Sequence, residues 1–140
     1  MTTQVKAYWQ NFIGGTWRDA AAGGRIVTLN PATGTPLAEV ARGMPADVDQ
    51  AVAAARACYQ SRALIDMRPM ARGRLLLEIG RHMEALADEI ALVECLDNGK
   101  TLAGGKNEAM AAARYFTYYG GATDKLEGRM IPLGAGYVDY

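Results

Sequence analysis

Leu76, Ile79, Met83, Leu86, Ile90 and Val93 recur at gaps of three and four residues, and the pattern then stops at Asn98-Gly99. That spacing is one face of a helical path, so a helical layer is the first requirement on any fold of this chain. Asn-Gly tolerates the left-handed conformation that a helix C-cap adopts, and Lys100 follows where a cation complements the negative end of the helix. Asp97 is the exception, because an anion in the last turn is disfavoured by the macrodipole. Its carboxylate calls for compensation from a bound cation or from a neighbouring Arg or Lys.

Lys and Arg total 15 and so do Asp and Glu, giving a net charge of zero over 140 residues. No basic field exists to attract nucleic acid or an anionic membrane surface, and neither is expected as a partner. Half the residues are hydrophobic, the profile of a globular chain long enough for one domain with a core. No apolar run is long enough to span a bilayer, and the first residues lack the features of a signal peptide. Cys58 and Cys95 sit among apolar neighbours in predicted helices. They read as free, buried thiols in a reducing compartment, which points to the cytoplasm.

Phe12-Ile13-Gly14-Gly15-Thr16-Trp17 is a tight hairpin signal. Ile26–Leu29 and Leu37–Ala41 read as short strands separated by the turn Asn30-Pro31-Ala32-Thr33-Gly34. The first 42 residues are therefore expected to form a small antiparallel β region. Pro45 opens a helix with Asp47 and Asp49 at its positive end and Val48, Val52, Ala55 and Tyr59 as its buried face. After a loop from Ser61 to Arg68, Pro69 opens a helix to about Met83. Ala85–Asn98 continues it or forms a separate helix after a bend. A break is expected over Thr101–Gly105 and a helix over Lys106–Lys125. Along that helix Ala109, Ala113, Phe116 and Gly120 follow one path and Met110, Arg114 and Tyr118 another. Met130-Ile131-Pro132 and Tyr137–Tyr140 flank Leu133-Gly134-Ala135-Gly136 as a hairpin would. The chain stops within that last alternating segment, as the front portion of something longer would.

Known phosphate loops do not fit. Gly99-Lys100-Thr101 has Glu94, and Gly105-Lys106 has Lys100, where a Walker loop needs its first Gly. Gly134-Ala135-Gly136 has Asp139 where a dinucleotide fingerprint needs a third Gly. Cys95 lies beside Glu94 at a helix C-terminus, a setting that disfavours the thiolate, and His82 stands beside Arg81 on a charged face. Structural roles suit all of these. The run Tyr115-Phe116-Thr117-Tyr118-Tyr119 cannot face one way on a helix, so some rings and Arg114 must point into a second interface or a cavity.

Together, several segments resemble the N-terminal part of the NAD(P)-dependent aldehyde dehydrogenase superfamily. They are Phe12–Trp17, Asn30–Gly34, Asp47–Val52, Arg72–Leu76, Leu96–Lys100 and Tyr118–Lys125, and their order and spacing carry the signal more than any one does. The resemblance implies an α/β fold. Residues 1–127 would be the first part of a Rossmann-like coenzyme-binding domain, contributing edge β-hairpins and outer helices. Residues 128–140 would start the oligomerisation hairpin of a homodimer or homotetramer. It implies oxidation of a small-molecule aldehyde with NAD or NADP through a cysteine thioester. The catalytic Cys, the Glu base, the oxyanion-hole Asn and the dinucleotide loop would all lie beyond residue 140, and this stretch alone is expected to be inactive. Neither catalytic nor cofactor-binding residues are therefore assigned within it.

Two features carry over by residue. Many members of the family hold sodium or potassium with the Asp of Asp-Asn-Gly-Lys and with backbone carbonyls before the Asn-Pro turn, here Asp97, Thr28 and Leu29. The mouth of the aldehyde tunnel matches Asn107, Ala111, Arg114 and Tyr115, with Tyr118 beside them. A small Ala111 near Arg114 suits a substrate with a polar or anionic group. Leu64 and Ala122 stand where many members carry Trp, Thr35 where Glu is common, and Met70-Ala71 where an acidic residue precedes the Arg. Those departures bear on subfamily and substrate. The competing reading is a complete, non-catalytic assembly or regulatory module resembling this enzyme.

Overall fold

Helix α1 (Pro45–Gln60), α2 (Pro69–Ala85), α3 (Ala87–Asn98) and α4 (Leu102–Ala122) follow five short strands in the computed structural model, which describes residues 5–129 and 133–138. The apolar stripe from Leu76 to Val93 is divided between α2 and α3. Leu86, at φ −99° and ψ 7°, is at once the C-cap of α2 and the N-cap of α3. Gly99 ends α3 in the left-handed conformation at φ 79°, as the Asn-Gly pair predicts.

The last helix differs from the sequence reading at both ends. It begins at Leu102 rather than Lys106, because the Thr101 hydroxyl accepts a hydrogen bond from Gly104 N at 3.2 Å and caps it. It ends at Ala122 rather than Lys125. Gly104 and Gly105, read as breakers, lie inside its first turns, and Gly105 touches Ala91 of α3. Ala109, Ala113 and Gly120 form its buried path as expected, and α4 packs along both α2 and α3.

The β region comprises β1 (Tyr8–Trp9), β2 (Asn11–Ile13), β3 (Thr16–Arg18), β4 (Arg25–Leu29) and β5 (Pro36–Ala41). Hairpin β2–β3 and the antiparallel pair β4–β5 match the sequence reading. The region is not wholly antiparallel, however. β1 runs parallel to β5, giving one sheet of order β1-β5-β4. A two-residue strand has no period of its own, so β1 left no trace in the hydrophobic pattern.

Asp47 joins these parts. Buried to 4% exposure, its carboxylate accepts hydrogen bonds from Met44 N and Ala21 N, each at 2.9 Å. It closes the first turn of α1 and ties the β3–β4 connection to it. Those two backbone donors, Met44 first, hold its carboxyl below the usual carboxylate range. The face expected to be buried on α1 is open: Val48 is 57%, Val52 53% and Tyr59 71% exposed, and Ala55 is exposed too. The physical reason is that α1 meets chiefly hairpin β2–β3 among the described elements, with Ala54 near Gly14. Cys58 is likewise exposed and Cys95 half-buried, so the expectation of two buried thiols is corrected, although both are free.

Near the chain's end, Tyr137 N reaches Gly134 O at 3.4 Å across a turn. Tyr137 and Val138 form no strand among the described residues. Met130–Pro132 and Asp139–Tyr140, the remainder of the expected hairpin, lie outside the described residues. No helix is long and apolar enough to cross a membrane among the described residues.

The surface is 10677 Å². A compact monomer of 15.0 kDa exposes about 7,000 Å². No large side chain is fully buried among the described residues, and the buried apolar set is Ile13 with six alanines. The excess matches the scale of a large permanent interface. Expressed alone, residues 1–140 should self-associate and bind a hydrophobic dye. A monodisperse monomer with a cooperative melt, in sedimentation and calorimetry, would contradict this. Asp47 contributes stability above the ordinary carboxylate pKa of about 3.9, and that contribution is lost as pH falls through its lower folded-state value. Asp47→Asn in the intact protein should therefore lower Tm near neutral pH and weaken the acid dependence of Tm, as pH-resolved calorimetry would read.

Candidate functional site

Two regions bring together residues of chemical interest, one on α4 and one at the end of α3. The first is a cavity of about 390 Å³ on the outer face of α4, lined by Ala111, Arg114, Tyr115, Tyr118 and Tyr119. Residues three and four apart share a helix face, which is why these converge while Ala109 and Ala113 turn inward. Tyr118 and Tyr119 meet edge to face, with ring centroids 5.2 Å apart at 88°. Tyr115 and Tyr118 are 66% and 70% exposed, so the walls of this cavity are open to a ligand or another protein surface. The Arg114 guanidinium has no ion-pair partner among the described residues and stands beside the rings. A cation beside aromatic faces can receive a polar or anionic group.

Of the residues predicted for this mouth, Ala111, Arg114 and Tyr115 come together. Asn107 lies one turn earlier on the same helix, exposed, and does not line the cavity. Tyr119 was missed. Its signal was present in the aromatic run, four residues after Tyr115.

The second region lies where α3 ends beside the three-stranded sheet. Asp97 and Thr28 line a cavity of about 290 Å³ together with Val5, Trp9, Leu37, Ala38, Val40 and Val93. Thr28 Oγ1 donates to Ala38 O at 3.3 Å. Leu29, predicted with them, is 53% exposed and its side chain is not part of the wall. The ladder slips between Thr28 and Leu29, and Leu29 stands opposite Pro36. Pro36 has no N–H to offer Leu29 across that position. Trp9, from the unpredicted β1, is part of the apolar wall.

Asp97 has no ion-pair partner among the described residues, and Lys100, three residues on, is engaged elsewhere. Lys100 Nζ binds Glu94 at 2.6 Å and also binds Glu108, tying the end of α3 to the start of α4. Its backbone N–H donates to Asn98 Oδ1 at 2.9 Å. Glu108 and then Glu94 push the Lys100 ammonium pKa up, and the hydrogen bond from Lys100 pulls the Glu94 carboxyl down. Glu94 and Lys100 are not at a helical spacing, so this clamp was not readable from periodicity. Among the described residues no three His, Cys, Asp or Glu gather to hold a metal ion, which is the donor set a transition metal needs. One carboxylate with carbonyl oxygens suits only a hard, weakly held cation.

The sequence pattern of the aldehyde dehydrogenase family matches residues 17–140. Phenylacetaldehyde dehydrogenase from Pseudomonas fluorescens is 41% identical over 125 residues, covering 89% of this chain and 25% of that protein. Cytosolic 10-formyltetrahydrofolate dehydrogenase from Xenopus laevis is 37% identical over 131 residues, covering 92% of this chain and 14% of that one. The crystal structure of an NAD-dependent aldehyde dehydrogenase from Sinorhizobium meliloti superposes with a TM-score of 0.88 at 28% identity, covering 97% of this chain and 28% of that structure. The chain belongs to the aldehyde dehydrogenase family. It matches the N-terminal part of these structures, in their Rossmann-like NAD-binding region, and spans about a quarter or less of the length of these relatives.

Removing the Lys100 clamp should loosen the corner between α3 and α4. Lys100→Met should speed amide exchange over residues 94–108 of the intact protein, and Lys100→Arg should preserve most of the protection. Equal exchange in Lys100→Met and the unaltered protein would show that the clamp holds nothing.

Proposed function

We propose that this chain is the opening segment of an enzyme that oxidises an aldehyde to a carboxylic acid with NAD(P)+ through a cysteine thioester. The observation that supports it most is the match over nearly the whole chain, in sequence and in fold, to one family of aldehyde oxidisers. The dinucleotide, when bound, supplies the hydride acceptor, and its contacts and the reactive cysteine fall to sequence after residue 140. The residues here hold the frame. The open face of α1 and the surface excess support burial against the rest of such a domain and against further subunits of a homodimer or homotetramer. The segment 128–140 is the start of the assembling hairpin in this reading.

On the outer face of α4, Ala111, Arg114 and Tyr115, with Asn107 one turn before them, form one wall of the aldehyde's approach. The unpaired Arg114 favours an aldehyde carrying a polar or anionic group. Asp97, with the carbonyls of Thr28 and Leu29, holds sodium or potassium. Its lack of an ion-pair partner among the described residues and the cavity it shares with Thr28 support that role.

Sequencing the gene past codon 140 tests the main reading. A continuation with Pro-Trp-Asn soon after Tyr140 and a Gly-Gln-x-Cys motif later is expected, and its product should form NAD(P)H from aldehydes. A stop codon directly after Tyr140 would overturn this in favour of a non-catalytic assembly or regulatory module. In the active protein, Arg114→Ala should raise KM for a carboxylated aldehyde about tenfold relative to a neutral one, the scale of one lost charged hydrogen bond. Crystals soaked in thallium or rubidium should show an anomalous peak beside Asp97, and Asp97→Asn should abolish it.

A further inference from the structure

α4 presents two stripes on opposite faces. With about 100° between successive residues, Gly105, Ala109, Ala113 and Gly120 fall on one side and Ala111, Arg114, Tyr115 and Tyr118 on the other. The first side is buried against α2 and α3, and the second lines the 390 Å³ cavity. Whatever fixes the depth of the buried side therefore fixes where the cavity wall stands.

On that buried side the contact with α2 is almost backbone to backbone. A Cβ at Gly73 would lie 2.5 Å from the Gly120 carbonyl oxygen and 2.6 Å from Thr123 Oγ1. A Cβ at Gly80 would lie 2.9 Å from Thr117 Oγ1 and 3.1 Å from the Ala113 carbonyl oxygen. From the other side, a Cβ at Gly120 would lie 3.0 Å from the Gly73 carbonyl oxygen. Backbone oxygens cannot rotate aside as the end of a long side chain can. Thr117 Oγ1 is itself engaged, donating to Ala113 O at 3.1 Å, so its rotation would break that bond. The seam has no slack, and an added methyl group at Gly73 is accommodated only by moving the helices apart by roughly 1 Å, the shortfall from an ordinary carbon–oxygen contact. Packed helices move as stiff bodies, so the displacement reaches the opposite face of α4.

We propose that Gly73 and Gly80 are positioning residues for the aldehyde approach: by admitting α4 to backbone contact they set the depth of Arg114, Tyr115 and Tyr118, and with it the width of aldehyde admitted. This rests on the reading of that cavity as the aldehyde's approach. Neither glycine touches the cavity, so the effect is transmitted wholly through the helix. The direction is determined too. Alanine in the seam drives α4 outward, into the space the substrate crosses, so wide aldehydes are penalised before narrow ones.

The test is steady-state kinetics of the full-length protein with benzaldehyde and acetaldehyde as probes. Gly80→Ala carries it, since its nearest obstacle is a hydroxyl rather than a backbone atom, and Gly73→Ala is the stronger form. Gly80→Ala should raise the ratio of KM for benzaldehyde to KM for acetaldehyde about tenfold with little change in kcat, the order expected from a sub-ångström to 1 Å misplacement. Adding Thr117→Ala, which removes the obstructing hydroxyl, should bring the ratio back to within about twofold. Asp47→Asn serves as a control that lowers Tm from a remote site and should leave the ratio alone. An unchanged ratio in Gly80→Ala and Gly73→Ala, with Tyr115→Ala still shifting it, overturns the seam and spares the cavity. A ratio that shifts equally in Asp47→Asn overturns it as well, because loosening anywhere would then suffice. If Tyr115→Ala shifts nothing, the cavity is not the approach, and both readings fall.

Discussion

Backbone contact between α2 and α4 organises the described structure more than any hydrophobic cluster does. The buried apolar residues are Ile13 and alanines, which cannot fill a large core, and no big side chain is wholly enclosed among the described residues. What α2, α3 and α4 have instead is closeness. Glycines at 73, 80, 105 and 120 let helices meet at distances where dispersion between main-chain atoms substitutes for interlocking side chains. Such contact is unforgiving of added volume, because a close-packed interior transmits strain rather than absorbing it.

Around that frame, polar groups do the joining that a core would do elsewhere. Asp47 binds the start of α1 to the strand connection before it, and Lys100 binds Glu94 of α3 to Glu108 of α4. Arg72 donates to the carbonyls of Leu64, Ile65 and Met67 and so anchors the loop after α1 to α2. Each joint is local, and none of them covers the open faces of α1 or of β4.

The sequence was legible where a residue's meaning is local. Pro45 and Pro69 start helices, Gly99 ends one, and Gly14-Gly15 turns a hairpin, all because backbone geometry restricts which residues can stand there. It misled where the outcome is tertiary. Val48, Val52 and Tyr59 have the spacing of a buried face and are exposed, since periodicity states which residues need a partner and not whether one is present. Gly104-Gly105 resembles a helix break and lies within a helix, since a glycine demanded by a close neighbour looks in sequence like one demanded by a turn. For the candidate sites, the aromatic run called for a second interface or a cavity and three of its rings line a cavity, and the Asp97 carboxylate required an explanation. That the lysine three residues on is held by two other carboxylates could not be read from one helix.

The open flank of β4 sets the direction in which this architecture can be completed. In the order β1-β5-β4, one border of the sheet is a two-residue strand and the other a five-residue strand with no strand beside its outer edge among the described residues. Borders of that second kind act as templates for further strands. Ile26 and Val27 stand exposed along it, and the slip at Thr28 sets its far limit. The sheet can therefore lengthen beyond β4, and any strand laid beside it there takes its alignment from Arg25–Leu29.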